Sequence, residues 1–222
     1  MRYFPINLDL HGRNAVVIGG GVVAARKCRA LLDAGSFVTV VSPELIGELL
    51  QMREQAKIDH CARQYATGDL DRAFIVFAAT CDRSVNRRVA EDARALGIPV
   101  NVADAPADSD FTLPAVLAQG DLLIAVSTSG KSPSVAAAVR DEIADLIGEE
   151  YAETLELITG LREKLLTAKS DNAYNKQILS EAARLLPSMV RNGRYDEIDR
   201  LFTRYLAGPF PAKSGAGAKD PE

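Results

Sequence analysis

Three consecutive glycines, Gly19-Gly20-Gly21, separate the apolar run Ala15 to Ile18 from a helix-spaced stretch, Val22 to Leu32. Gly19-x-Gly21-x-x-Ala24 fits the dinucleotide fingerprint in its alanine-ending form. The chemistry it offers is phosphate binding. Gly19 can make the tight turn, Gly21 has no Cβ to keep a pyrophosphate away, and Ala24 lets the helix pack close to the strand. The helix start adds free N–H groups and the positive end of its dipole. A purely structural glycine turn would use the same residues. The position of the motif, between a strand and a helix near the N-terminus, favours a nucleotide.

Two further groups could do chemistry. Asp104 closes the segment Asn101-Val-Ala-Asp104. A carboxylate there could move a proton or meet a divalent metal through oxygen. It could equally cap a turn before Ala105-Pro106. The stretch Ser127-Thr-Ser-Gly-Lys-Ser-Pro133 is small and polar and precedes a helical pattern. Gly130-Lys131-Ser132 imitates the end of a phosphate loop, but Ala125 stands where that motif needs glycine, so a nucleotide triphosphatase is rejected. Unpaired amides ahead of a helix, with Lys131, suit an anion. A helix cap at Ser132 or Ser134, with Pro133 beside it, would use the same donors.

These residues need a scaffold, and the pattern around them supplies one. Strands are expected at Ala15–Ile18, Phe37–Val41, 57–65, Phe74–Ala79 and Ile98–Val102. Helices are expected between them. Ser42 reads as an N-cap with Pro43 at the first helical position and Glu44 already in the helix. Asp82 reads as the cap of a helix running to about Leu96, and Gly97 as its stop. Strand–helix alternation implies a parallel sheet covered on both faces. Ligands of such sheets bind at the carboxyl ends of the strands, which here are Gly19–Val22, Ser42–Glu44, Thr80–Asp82 and Asn101–Asp104. No acidic residue stands at position 42 to grip a ribose, and no arginine lies at 42–46 to hold a 2′-phosphate. The segment Phe4 to Leu8 is apolar enough to lie on the domain.

Beyond residue 112 the pattern changes. Two short strands around Gln119-Gly120-Asp121 precede a helix from about Val135 to Ile147. Their apolar faces and edges point to a homodimer built through residues 113–147. Residues 148–207 read as helical, with a break at Asn192-Gly193, and 208–222 as a disordered tail. Basic residues such as Arg162, Lys169 and Arg191 punctuate the helices; a solvated face is the plain reading for them. The expected division is therefore 1–112, a Rossmann-type sheet domain; 113–147, a dimerisation region; 148–207, a helical domain; and the tail.

Composition closes off other classes. The chain has 222 residues and a formal net charge of −4, which leaves no basic footprint for nucleic acid. No apolar run reaches the roughly 18 residues of a membrane span, and the N-terminus lacks a signal-peptide core. Cys28, Cys61 and Cys81 are odd in number and widely spaced, fitting neither a zinc pattern nor a disulfide framework. A reducing cytoplasm is the expected setting. Cys28 reads as a small buried apolar residue. His11 and His60 are the only histidines, too few for a multi-histidine metal site.

Taken in order, Val17-Ile-Gly-Gly-Gly-Val-Val-Ala24 with Arg26-Lys27, Ala78-Ala79-Thr80 with Val85-Asn86, Asn101-Val-Ala-Asp104, Phe111-x-x-Pro114 and Ser127-x-x-Gly-x-Ser-Pro133 resemble the precorrin-2 dehydrogenase/sirohydrochlorin ferrochelatase family, a module of siroheme synthases. The resemblance spans roughly residues 3–205. It implies a Rossmann domain, a small dimerisation part and a helical part. It implies NAD as cofactor, precorrin-2 as a polycarboxylate substrate oxidised to sirohydrochlorin, and, in many members, insertion of Fe²⁺ as the substrate metal. It places the essential aspartate, for proton transfer and metal handling, on Asp104. Cofactor contacts fall at Gly19, Gly21, Val22, Val23, Pro43, Glu44 and Thr80, and substrate contacts at Ser127, Thr128, Gly130 and Lys131. A dehydrogenase without chelatase activity, and a module that senses NAD(H) without catalysis, are the alternatives.

Overall fold

The computed structural model describes residues 3–167 and 172–207. The tail expected over 208–222 and Lys169 lie outside the described residues. The described residues form two compact units: 3–113 with 128–132, and 114–127 with 133–167 and 172–207.

The first unit is built on five parallel strands, β1 (Asn14–Ile18), β2 (Phe37–Val41), β3 (Ile58–Cys61), β4 (Ile75–Ala78) and β5 (Val100–Val102), in the order β3-β2-β1-β4-β5. Side chains alternate across a strand, and the sheet is buried on both sides. Ala15 and Val17 of β1 join Val38, Val40, Ile75 and Phe77 under α1 (Val22–Asp33) and α2 (Gly47–Glu54). Val16 and Ile18 join Val41, Val76, Ala78, Val100 and Val102 under α3 (Arg83–Ala95). That double burial is why these strands read as nearly continuous apolar runs. The order reverses between β1 and β4, where β2 departs to one side and β4 to the other. This is the topological switch point, where such sheets hold ligands.

One charged residue enters this core. Lys27 projects from α1 and is buried. Its Nζ stands 5.5 Å from the centre of the Phe77 ring, which meets Phe111 edge to face at 5.6 Å. Burial, with Arg26 next to it, pushes the Lys27 pKa down to about 8. Cys28 is fully buried, and desolvation raises its thiol to about 12, in keeping with a packing role.

Two expectations for this unit are corrected. Phe4, Ile6 and Leu8 remain exposed, and the first residue of the N-terminal stretch that packs on the core is Leu10, beyond that segment. The third strand is confined to Ile58–Cys61, because Ala62 onwards turns away toward a short 3-10 turn at Thr67–Leu70.

The second unit opens with an antiparallel hairpin, β6 (Ala115–Gln119) and β7 (Leu122–Val126), joined by Gly120-Asp121. Gly120 takes φ 57°, which suits a two-residue turn. Four helices follow: α4 (Pro133–Ala144), α5 (Glu150–Thr167), α6 (Asn172–Arg191) and α7 (Tyr195–Leu206). Leu161, Leu165, Ile178, Leu186, Ile198, Leu201 and Tyr205 form the core of the last three. Gly193, with φ 65°, turns the chain between α6 and α7. On the hairpin, alternate residues differ: Leu117 and Ile124 are half-buried, whereas Val116 and Leu123 are 43% and 50% exposed. No helix among the described residues is long and apolar enough to cross a membrane.

Candidate functional site

Four of the five strands end on loops that carry the residues to which the glycine fingerprint and the family resemblance point. Gly19, Gly21, Val22 and Val23 follow β1; Pro43 and Glu44 follow β2; Thr80 follows β4; Asp104 follows β5. A parallel sheet puts all these ends on one edge, so the fold gathers them as expected.

The glycines have distinct tasks. Gly19 sits at φ 126°, a conformation reserved for glycine. A Cβ there would overlap the Ala79 carbonyl. Its N–H donates to Val41 O at 2.9 Å, so it extends the ladder past β1. Gly20 is packed against the loop after β2. A Cβ on it would overlap the Glu44 carbonyl and lie 2.7 Å from Ser42 Oγ, and its own carbonyl accepts from Ile46 N–H at 2.9 Å. Gly21 differs: a Cβ there would meet nothing within 4 Å. It caps α1 without a side-chain hydrogen bond. Open space in front of an uncapped helix start is what an approaching pyrophosphate needs. Val22 and Val23, in the first turn, are exposed.

The loop after β2 corrects the sequence expectation. Helix α2 begins at Gly47, with Ile46 before it. Ser42, Pro43 and Glu44 therefore lie in a loop. The Ser42 hydroxyl donates to Glu44 O at 2.7 Å, which folds the loop over Gly20 and removes the hydroxyl from any capping role. His60 Nε2 lies 2.9 Å from Ser42 O, a contact between neighbouring strand ends that spacing does not reveal. Glu44 is exposed on this loop, outside the helix, and it is the first acidic residue in sequence after β2.

On the other side of the switch point, Asp82 caps α3. Its Oδ1 accepts from the amides of Ser84 at 2.8 Å and Val85 at 3.4 Å. The Ser84 hydroxyl and these amides hold its carboxyl below the ordinary range. Asn86, one turn on, is 1% exposed. Its Oδ1 accepts from Thr80 N at 3.1 Å and Thr80 Oγ1 at 2.8 Å. Its Nδ2 donates to Thr80 O at 3.1 Å and to Asp104 Oδ1 at 3.4 Å. Arg83 Nε donates to the other carboxylate oxygen, Asp104 Oδ2, at 3.2 Å. Asp104 is thus held by side chains of α3, and the turn-capping reading of its carboxylate has no hydrogen bond behind it. Asn101, buried on β5, donates to Phe111 O at 2.9 Å.

The Ser127–Lys131 loop, expected to offer unpaired amides, is partly closed on itself. Thr128 to Ser132 group with the first unit and Ser127 with the second. Lys131 is exposed. Two amides, however, are spent inside the loop: Lys131 N–H donates to Thr128 O at 3.1 Å, and Ser132 N–H donates to Thr128 Oγ1 at 3.1 Å. The expected row of free donors is shortened accordingly. Ser129 and Gly130 both take positive φ, 55° and 79°. Among the described residues no three His, Cys, Asp or Glu side chains gather as a metal site.

Comparison with known proteins agrees with this layout. Residues 6–115 match a family described as "Putative NAD(P)-binding", and residues 119–146 match the family "Sirohaem biosynthesis protein central". The siroheme synthases of Ectopseudomonas mendocina and Nitrosospira multiformis are 35% and 36% identical across 100% of this chain. The chain is thus similar to the siroheme synthases along its whole length. It spans about half the length of the curated relatives it matches, 49% and 50% of these two. A solved structure of SirC, precorrin-2 dehydrogenase, shares the fold, with a TM-score of 0.73 over 91% of this chain and 100% of that one at 23% identity. The match to the putative NAD(P)-binding family covers all five strands of the sheet and so includes the switch point. The sequence reading assigns no role to Gly20, Arg83 or Asn86, although Gly20 and Asn86 stand inside the motifs that carry the resemblance. Asn86 had a signal, since it stands one turn after the Asp82 cap and a buried polar residue there must find partners.

Proposed function

We propose that this chain oxidises precorrin-2 to sirohydrochlorin with NAD⁺ and goes on to insert Fe²⁺ as a substrate metal. The observation that carries the reading is the placing of one carboxylate, Asp104, on the same sheet edge as an open, uncapped dinucleotide turn at Gly21. The names of the relatives and the fold of the SirC dehydrogenase support the choice of tetrapyrrole.

The residues fit the cofactor: Gly21 leaves room for a pyrophosphate, the first amides of α1 face it, and Glu44 offers a carboxylate to ribose hydroxyls. NAD⁺, when bound, supplies the hydride acceptor. The oxidation removes two hydrogens from the substrate, one as hydride and one as a proton. Asp104 takes that proton on a carboxylate oxygen. Once that proton has passed to solvent, the same carboxylate can receive, one after the other, the two protons displaced from the ring nitrogens when iron enters and hand them on to water. The tetrapyrrole supplies the nitrogen ligands, so the chain need offer only a base. Lys131 is the basic group presented to the substrate's carboxylates. Cys28, Cys61 and Cys81 are all unpaired, which suits a reducing cytoplasm. The exposed hairpin face supports a homodimer.

The test is absorbance spectroscopy. Purified chain, precorrin-2 and NAD⁺ should give NADH and sirohydrochlorin in equal amounts, and Fe²⁺ added afterwards should shift the spectrum to that of siroheme. Oxidation without the iron step would leave a dehydrogenase. Binding of NAD⁺ with neither reaction would leave a nucleotide-sensing module and defeat the proposal.

A further inference from the structure

Asn86 has no place in the reaction as described, yet it is the most buried polar side chain at the site. All of its hydrogen-bonding capacity is used: Oδ1 accepts twice and Nδ2 donates twice. The Thr80 backbone N–H needs an acceptor in this buried setting, which fixes the oxygen of the amide toward Thr80. The nitrogen must then face Thr80 O and Asp104 Oδ1. One rigid amide therefore joins the end of β4, on the candidate cofactor edge, to the carboxylate after β5.

The other partner of Asp104 cannot do this work. The Arg83 side chain is 87% exposed, and an exposed ion pair in water is weak and exchanges with solvent. Asn86 is held on α3, behind the Asp82 cap, by three bonds to Thr80 before it touches Asp104. Its grip on Oδ1 leaves the remaining lone pairs of the carboxylate for a proton or a metal.

We propose that Asn86 is the positioning residue for Asp104, holding its carboxylate in register with the cofactor edge through Thr80. The inference rests on the reading of Asp104 as the proton acceptor, and the experiment separates the two. Four variants are compared with the wild type: Asn86→Asp, Asn86→Ala, Asp104→Asn, and the exchange Asn86→Asp/Asp104→Asn. NADH formation from precorrin-2 is followed well below each Tm. Asn86→Asp has the same shape but puts a carboxylate against a carboxylate. Asn86→Ala removes the donor and adds no charge, so it serves if the aspartate variant fails to fold. Both Asn86 variants should lower kcat roughly 10- to 100-fold, the scale of a misplaced reacting group, with KM for precorrin-2 within about threefold. The exchange should recover part of the Tm lost by Asn86→Asp, because one amide again faces one carboxylate, while kcat stays lost.

Normal kcat in both Asn86 variants would overturn the proposal and leave Asn86 as packing. So would Tm losses that simply add in the exchange variant, since residues in contact should couple. If the wild type forms no NADH from precorrin-2, the functional reading falls by itself. The Tm coupling then decides for Asn86: partial recovery sustains the contact that positions Asp104, and additivity removes it.

Discussion

Asp104 holds two partners and still has lone pairs to spare, and that arrangement makes its chemistry testable by one atom. Asp104→Asn keeps the shape and its hydrogen-bonding reach but loses basicity. Precorrin-2 oxidation should fall roughly 10²- to 10⁴-fold, the usual scale for a positioned acid–base group, with NAD⁺ affinity by calorimetry unchanged. A near wild-type rate would mean that the carboxylate is there for structure. Lys27 yields a second prediction. Its folded pKa of about 8 lies below the ordinary value of 10.5. Between those values the unfolded chain binds more protons, so stability rises with pH across that window. Below pH 8 the desolvation penalty is present in full. Lys27→Met keeps the stem and can set a sulfur against the Phe77 ring. At pH 7 the variant should be more stable by on the order of 1–3 kcal/mol, the gain fading toward pH 10. Urea melts at the two pH values check this; a gain that does not fade would assign it to packing alone. Which residues were legible follows from the range of their interactions. Gly21 shows in the spacing because its surroundings are local, whereas Asp104 is singled out through the family resemblance, its partners Arg83 and Asn86 being 21 and 18 residues away. Gly20 does not, because its constraint comes from the Glu44 carbonyl on another loop. Asn86 stands in a quoted motif one turn after the Asp82 cap, but its role does not show there, because its partners are 6 and 18 residues away.

At the scale of elements, patterns of burial translated well and patterns of capping translated unevenly. The strand runs were readable since both faces of each strand are covered by helices. Asp82 was readable as a cap since every partner of its carboxylate, the Ser84 hydroxyl included, lies in the first turn of the helix it starts. Ser42-Pro43-Glu44 imitates a helix start equally well, but the Ser42 hydroxyl turns to Glu44 O, and Gly20 leaves room only for a loop there. The hairpin raises the matter of partners. Val116, Ala118, Leu123 and Ala125 lie on one face, paired across the ladder as Val116 with Ala125 and Ala118 with Leu123, and all four are exposed. An apolar face of this kind, on a sheet of two strands with both edges open, is the surface expected to bind a second copy of the chain. Leu123→Glu should convert a dimer to a monomer at micromolar concentration by light scattering while the far-ultraviolet circular dichroism spectrum persists. A wild-type chain that is already monomeric there would remove the proposed interface.

At the scale of the molecule, the two units have separate cores, and the sequence informed on them differently. Strand–turn–helix repetition specifies one topology among few, so the first unit could be read through to its ligand edge. The helices of the second unit announce only which face is apolar, and apolar periodicity carries no record of what a polar face touches.

The ladder past the strand ends has a consequence for how the cofactor edge behaves in time. Gly19 N–H reaches Val41 O, Ala79 N–H reaches Ile18 O, Ala103 N–H reaches Ala78 O, and Ile46 N–H reaches Gly20 O, at 2.8–3.0 Å. The loops that would receive the nucleotide are thus stitched together by main chain before any nucleotide arrives. Little ordering is left for binding to impose, so less of the association free energy is lost to conformational entropy. In deuterium oxide without nucleotide, these four amides should exchange as slowly as the strand interiors, opening only when the whole sheet does. Saturating NAD⁺ should slow them no more than it slows global unfolding. Fast exchange at Gly19 and Ile46, arrested on addition of NAD⁺, would instead describe an edge that the ligand itself assembles.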